Sequence, residues 1–352
     1  DDDIKFVSID NPGININCGA SVIPQIQVKN NGANAVSSVN VNYTIDGTPY
    51  NYVWNGTPIA SSATQAIVLP SVSLTRGVHT LNVTSTITND AYSDNNSGSS
   101  SFYINDAGTV GVVNPFTNTT DALISYNEGS SGSQWVRGTS TRGLGGSMGT
   151  GGNTVYATNL IGNYPDMVKS YLVSQCYNLS NVVNPQISFA MKFDLEQNWD
   201  VAYVEYSTNF GATWSVLGTM GATWYNSNRT QATAGNDCYN CPGAQWTGTN
   251  TTLTTYSYPL NALNAETNII FRIVFHSDES ANQLGVNIDD FLINGTLSNQ
   301  NFELQNIVVY PNPSKGIFNI ALGNIQPTAI DVYDLTGKII LSKKDIQISN
   351  VE

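Results

Sequence analysis

The chain has 352 residues, 13 Lys+Arg against 26 Asp+Glu, a formal net charge of −13 and a sequence pI near 4.3. Only 11% of its residues are charged, less than half of the roughly 25% of an average soluble domain, and Asn (44 residues), Thr, Ser and Gly supply the polarity instead. So few cations argue against a nucleic-acid surface, two histidines leave little for imidazole chemistry, and no apolar run approaches the roughly 20 residues of a membrane span.

The first hundred residues read as short strands. Residues 25–29 and 39–45 alternate apolar and polar, as half-buried antiparallel strands should. Asp46-Gly47 supplies a hairpin turn into 50–54, and 66–69, 78–83 and 101–104 continue the pattern at sandwich spacing. His79 alternates with Leu81 and Val83 and is expected to be structural. Cys18 and Cys176 stand far apart in different blocks and are expected to be unpaired or merely buried. The run Val28-Lys29-Asn30-Asn31-Gly32, the hairpin at 44–47, the strand entry at 76–81 and the Asn/Asp-rich stretch at 89–96 resemble CARDB-type immunoglobulin-like modules of bacterial cell-surface proteins. The resemblance implies an Ig-like spacer over 1–107.

In the next block, Gly145-Gly146-Ser147-Met148-Gly149 satisfies the G-x-S-x-G pattern of a nucleophile elbow. An elbow needs a strand turning sharply into a helix, and these Gly/Thr/Ser flanks supply neither, so no hydrolase is expected. Glu196 and Asp200 lie four apart around Trp199, and Asp278, Glu279, Asp289 and Asp290 gather further on. Trp214, Trp224, Tyr225 and Trp246 could offer sugar-stacking faces, although core packing is the more economical reading. Cys238 and Cys241 form a CxxC in a loop-like run without the helix of a redox motif or a second zinc pair, which favours a small disulfide.

Several of these segments resemble the MAM-like jelly-roll modules of secreted bacterial proteins: the strand entry at 171–180, the core strand 187–193, the hairpin 204–214 and the closing strands 271–279 and 285–291. The hairpin turn also resembles an Asp-box, with Asn209 in the acidic position. The resemblance implies a jelly roll over 108–297 and a structural Ca²⁺, since hard carboxylate oxygens suit that ion. Asp289, Asp290 and Asp278 are its expected ligands.

At the C-terminus, Val308-Val309-Tyr310-Pro311-Asn312-Pro313 leads through Gly316 into an alternating strand, and 330–340 carries Asp331, Tyr333, Asp334 and the turn glycine Gly337. These motifs resemble the type A C-terminal sorting domain of type IX secretion substrates from the Bacteroidetes group, starting at 298. The resemblance implies recognition by the outer-membrane translocon and its shuttle protein, then processing by a cell-surface sortase, with an extracellular or cell-surface destination. Tyr310, Pro311, Asn312, Pro313, Gly316, Asp331, Tyr333, Asp334 and Gly337 are the expected recognition residues.

The fold expectation is therefore all-β throughout: an Ig-like sandwich, a larger jelly roll and a small, truncated sandwich in which 298–352 is the start of the sorting domain. Both ends read as cuts through a longer polypeptide. The functional expectation is a non-catalytic region of an exported surface protein, with no nucleic-acid partner and no transmembrane segment. The alternatives are a carbohydrate-binding or adhesive module with a glycan or surface ligand, and accessory domains of a secreted metallopeptidase whose catalytic domain lies upstream.

Overall fold

The computed structural model describes all residues except 14, 131, 142, 146–147, 151, 232–237, 239, 298–307, 314–316, 318, 322–328, 345–349 and 352. Contacts divide the chain into two compact units, Asp1–Leu297 and Ser298–Glu352. The architecture is all-β.

Unit 1 holds two sandwiches. In the first, Ile4–Asn11, Gln25–Asn30 and Thr64–Val68 form a three-stranded sheet. A five-stranded sheet takes the order Ile16–Cys18, Ser97–Asn105, Gly77–Thr86, Val36–Ile45, Thr48–Ile59. Alternation decides what is buried: Val39, Val41, Tyr43 and Ile45 face the core, and Asn40, Asn42 and Thr44 face out. The Asn30-Asn31-Gly32 motif closes one end. Asn30 Nδ2 donates to Asn34 O and Ile59 O, each at 2.8 Å, and a side chain at Gly32 would collide with the backbone of residues 1–3. His79 is structural, held between Asp46 and the Thr75 carbonyl.

In the jelly roll, one sheet runs Ile124–Asn127, Lys169–Tyr177, Ile269–His276, Val201–Ser207, Ser215–Val216. The other runs Val136–Thr139, Thr154–Ala157, Gly285–Leu297, Val182–Asp194, Thr249–Pro259. Their inner faces share one aromatic-rich core that includes Phe189, Phe193, Phe271, Phe275 and Trp246.

Cys18 and Cys176 require a correction, because they form a disulfide across 158 residues. Sequence distance hid the pairing. Tyr103, Ile104 and Asn105 pair in parallel with Ile16, Asn17 and Cys18, and Cys176 N donates to Asp106 O, so the chain folds the two cysteines together. The junction is closed further by the Arg76–Asp106 ion pair at 2.7 Å and by Ile16 N donating to Phe210 O at 2.8 Å.

In unit 2, Val308–Tyr310, Asn319–Ala321 and Asn350–Val351 form one small sheet, and Ala329–Tyr333 pairs with Ile339–Lys344 in another. None of its described side chains is buried.

Candidate functional sites

Three carboxylates meet at one edge of the jelly roll. Antiparallel pairing sets Val201 opposite His276, which brings the residue before one strand, Asp200, beside the residues after the other. Asp278 N donates to Asp200 Oδ1 at 2.7 Å, and the Tyr164 hydroxyl donates to Asp200 Oδ2. Glu196 joins them through the turn before Asp200: Asp200 N donates to Glu196 O, and the Thr247 hydroxyl caps both backbone carbonyls. One oxygen from each of Glu196, Asp200 and Asp278 lies within 4.8 Å of the others.

Crowding three acids in a buried place works against ionisation. Burial pushes the fully buried Asp200 carboxyl up to about 6, opposed by its hydrogen bonds from Tyr164 and the Asp278 amide. Glu196 is raised by burial and by Asp278. Its Oε2 is buried and accepts no hydrogen bond. An orphaned carboxylate oxygen among acids is the donor set a hard cation would satisfy, so the group fits a metal site.

The expected ligands Asp278, Asp289 and Asp290 are not brought together as one set. Asp278 belongs to the cluster above, whereas Asp289 and Asp290 lie on the strand Gly285–Leu297 of the other sheet. A strand irregularity opposite Ser188–Ala190 breaks the alternation there and gives Asp290 a φ of 50°. Asp290 is occupied by the Thr150 amide at 2.9 Å and the Thr150 hydroxyl at 2.5 Å. Asp289 is fully buried, and its Oδ1 accepts from the Asp290 amide at 2.7 Å. Its Oδ2 has no partner, and burial lifts its carboxyl to about 7. The loop carrying the G-x-S-x-G pattern reaches this strand, since Asn287 Nδ2 donates to Leu144 O at 3.0 Å. Ser147 and Gly146 themselves lie outside the described residues.

The aromatic cluster resolves as core. Trp224, Tyr225 and Trp246 are buried, with ring centroids 4.6–5.3 Å apart, so they offer no stacking platform to a sugar. Trp214 covers Arg272, whose guanidinium lies 4.1 Å from the Trp214 ring and 3.9 Å from the Tyr171 ring while Nε donates to Glu205 at 2.6 Å. In the Asp-box-like turn, Asn209 does the work of an acid: its Oδ1 accepts from the Thr213 amide at 3.0 Å and from the Ser207 hydroxyl at 2.9 Å. Cys238 and Cys241 are disulfide-bonded.

Among the C-terminal residues, Tyr310 ends an exposed strand, and Pro311, Asn312 and Pro313 are exposed in the bend that follows. Gly316 lies outside the described residues. Asp331 and Tyr333 sit on the strand Ala329–Tyr333, and Asp334 organises the hairpin turn: its Oδ1 accepts from the Thr336 amide and hydroxyl and from the Lys338 amide. These bonds hold its carboxyl below the ordinary value, the Thr336 hydroxyl first among them. Gly337 takes a φ of 84°, which favours a residue without Cβ.

No curated protein matches the chain. Among solved structures, the CARDB domain of a Pyrococcus furiosus protein, determined with di-metal ions, is 17% identical over 30% of this chain and 92% of that one, with a TM-score of 0.24. The K1 cleaved adhesin domain of Lys-gingipain from Porphyromonas gingivalis is 13% identical over 54% and 99%, with a TM-score of 0.31. The secreted serine protease VesC of Vibrio cholerae is 10% identical over 79% and 48%, with a TM-score of 0.28. Residues 308–352 match the Secretion system C-terminal sorting domain family. The chain therefore ends in a secretion system C-terminal sorting domain and is a substrate of type IX secretion, bound for the cell surface or the extracellular space.

Proposed function

We propose that the chain is the non-catalytic region of an exported surface protein: an Ig-like spacer at 1–107, a jelly roll at 108–297, and from 298 the signal that exports them. The observation that carries this reading is the sorting-domain match at 308–352, on strands none of whose described side chains is buried. An edge strand such as Val308–Tyr310 leaves backbone donors and acceptors free on one side, which is what a receptor reading an extended segment uses. Tyr310, Pro311, Asn312, Pro313 and Gly316 would present that edge to the translocon and its shuttle protein. Asp331, Tyr333, Asp334 and Gly337 would hold the adjoining hairpin, and a sortase would then process the chain at the surface.

Structural Ca²⁺ belongs to the same reading. Glu196, Asp200 and Asp278 would hold it, and the ion would supply the positive charge that lets three crowded carboxylates ionise together. The convergence of three carboxylate oxygens within 4.8 Å of one another supports this placement over one at Asp289 and Asp290. Removing residues 308–352 tests the export reading. The shortened chain is expected to accumulate in the periplasm of a type IX-competent cell, and equal amounts outside the cell with and without that segment would overturn the reading.

A further inference from the structure

The five strands of the larger sheet of the first sandwich contain no Asp, Glu, Lys or Arg. In a chain with a net charge of −13, that leaves a neutral face. Its outward residues form ladders of amides and hydroxyls. Register sets Asn51 opposite Asn42, Asn42 opposite Thr84, and Thr84 opposite Ser97. The next row sets Thr44 opposite Asn82 and Asn82 opposite Ser99.

These side chains hold one another in place. Asn51 Nδ2 donates to Asn42 Oδ1 at 2.8 Å and to Asn40 Oδ1 at 2.7 Å, and the Thr84 and Ser97 hydroxyls are bonded at 2.8 Å. At one end of the face, Tyr103 meets Tyr126 of the jelly roll with ring centroids 5.0 Å apart, both rings partly exposed.

This combination discriminates among partners. Asp46 at its rim is bonded to His79 and the Thr80 amide, and Arg272 beside Tyr126 is paired with Glu205, so the face offers neither an anionic nor a cationic polymer a cluster of opposite charge. Its small share of apolar side chains gives a hydrophobic protein surface little to bury. A neutral polyol suits it. Each of its hydroxyls both donates and accepts, as the Asn, Thr and Ser groups here require, and contact along the strands desolvates no charge. Side chains stand about 4.8 Å apart within a row and successive rows about 6.8 Å apart, so a polymer with a repeating unit gains successive contacts. Side chains already fixed by their neighbours lose little freedom on binding, and the tyrosine pair offers a ring face for a sugar to stack on.

We infer that this face binds a neutral polysaccharide, running across the Asn/Thr/Ser rows to the Tyr103–Tyr126 pair. The inference goes beyond the export reading, and export plays no part in its test. The full chain is run through native gels containing dextran, laminarin, galactan or hydroxyethylcellulose, with heparin and polygalacturonate as charged controls. Retardation by at least one neutral polymer and by neither charged one is expected. The double variant Asn42→Lys, Asn82→Lys places cations on two exposed positions, and an unchanged melting curve confirms that it folds. Its affinity for the same polymer should fall by about tenfold or more. No retardation by any neutral polymer, or equal retardation of variant and parent, would overturn the proposal. So would sedimentation showing self-association in the parent that the double variant loses, because the face would then serve a second copy of the chain.

Discussion

Residues 1–297 and 298–352 use the same strand vocabulary in opposite ways. In the first unit, side chains alternate between a dry interior and a polar exterior, and the nearly enclosed charges of Arg272 and Glu205 are paired. In the second, no described side chain is buried, and Leu335, Ile317 and Ile340 are 108%, 74% and 63% exposed. Strands that bury so little gain little from the hydrophobic effect on their own account. The contrast fits a division of labour in which one unit must stay folded as cargo and the other must stay legible to a receptor.

The largest expected effect concerns the disulfide that ties the two sandwiches. Replacing Cys18 and Cys176 by Ser restores the freedom of a loop of 158 residues, a loss of about 3–5 kcal/mol. The melting transition of unit 1 should fall by several degrees, and amide exchange in unit 2 should not change. Parallel loss of protection in both units would break the contrast.

Next is Arg272→Ala, which leaves Glu205 without its partner in a nearly enclosed site and strips Tyr171 and Trp214 of the cation between them. A loss of about 3 kcal/mol is expected in denaturant titration. The double replacement Arg272→Met, Glu205→Leu should recover part of it, because neither charge is then stranded.

Ca²⁺ should raise the unit 1 melting temperature, worth about 2.7 kcal/mol at a hundredfold excess over Kd, and EGTA should reverse the shift. The response should vanish in Glu196→Gln, Asp278→Asn. Persistence of the shift in that variant and its loss in Asp289→Asn would move the site to the other sheet.

Asp289 also gives a pH signature without metal. Its folded value of about 7 lies above the ordinary 3.8, so its contribution is fully present below about 3.8 and is lost as pH rises towards and through 7. Asp289→Asn should therefore be more stable than the parent in EGTA at pH 8, by about 1–3 kcal/mol, and the gap should close by pH 4. An unchanged gap across that range would show that the carboxyl is not stranded. The smallest effect is Asp334→Ala, where faster amide exchange at Thr336 and Lys338 is expected with unit 1 unaffected.

The all-β class was readable because alternation at period two repeats along most of the chain, as in residues 39–45, and turn residues punctuate it. The sorting motif was readable because each of its two parts, Pro311-Asn312-Pro313 and Asp334 to Gly337, lies within four consecutive residues of the sequence. What escaped was whatever depends on register between distant strands. The Cys18–Cys176 bond exists only because 103–105 pair with 16–18, and the Glu196–Asp200–Asp278 cluster only because Val201 lies opposite His276. Each residue was visible, but not which acids would meet. The aromatic run was ambiguous for the same reason, since only the fold decides that Trp246 points inward.

On the proposed reading the address resides in the terminal unit and the cargo is indifferent to it. Fusing the segment from residue 298 to the native C-terminus onto an unrelated folded passenger tests that claim most directly, in a type IX-competent cell and in a strain lacking the translocon. Passenger is expected at the surface or in the medium of the first and in the periplasm of the second. Passenger outside both strains alike, or inside both, would contradict it.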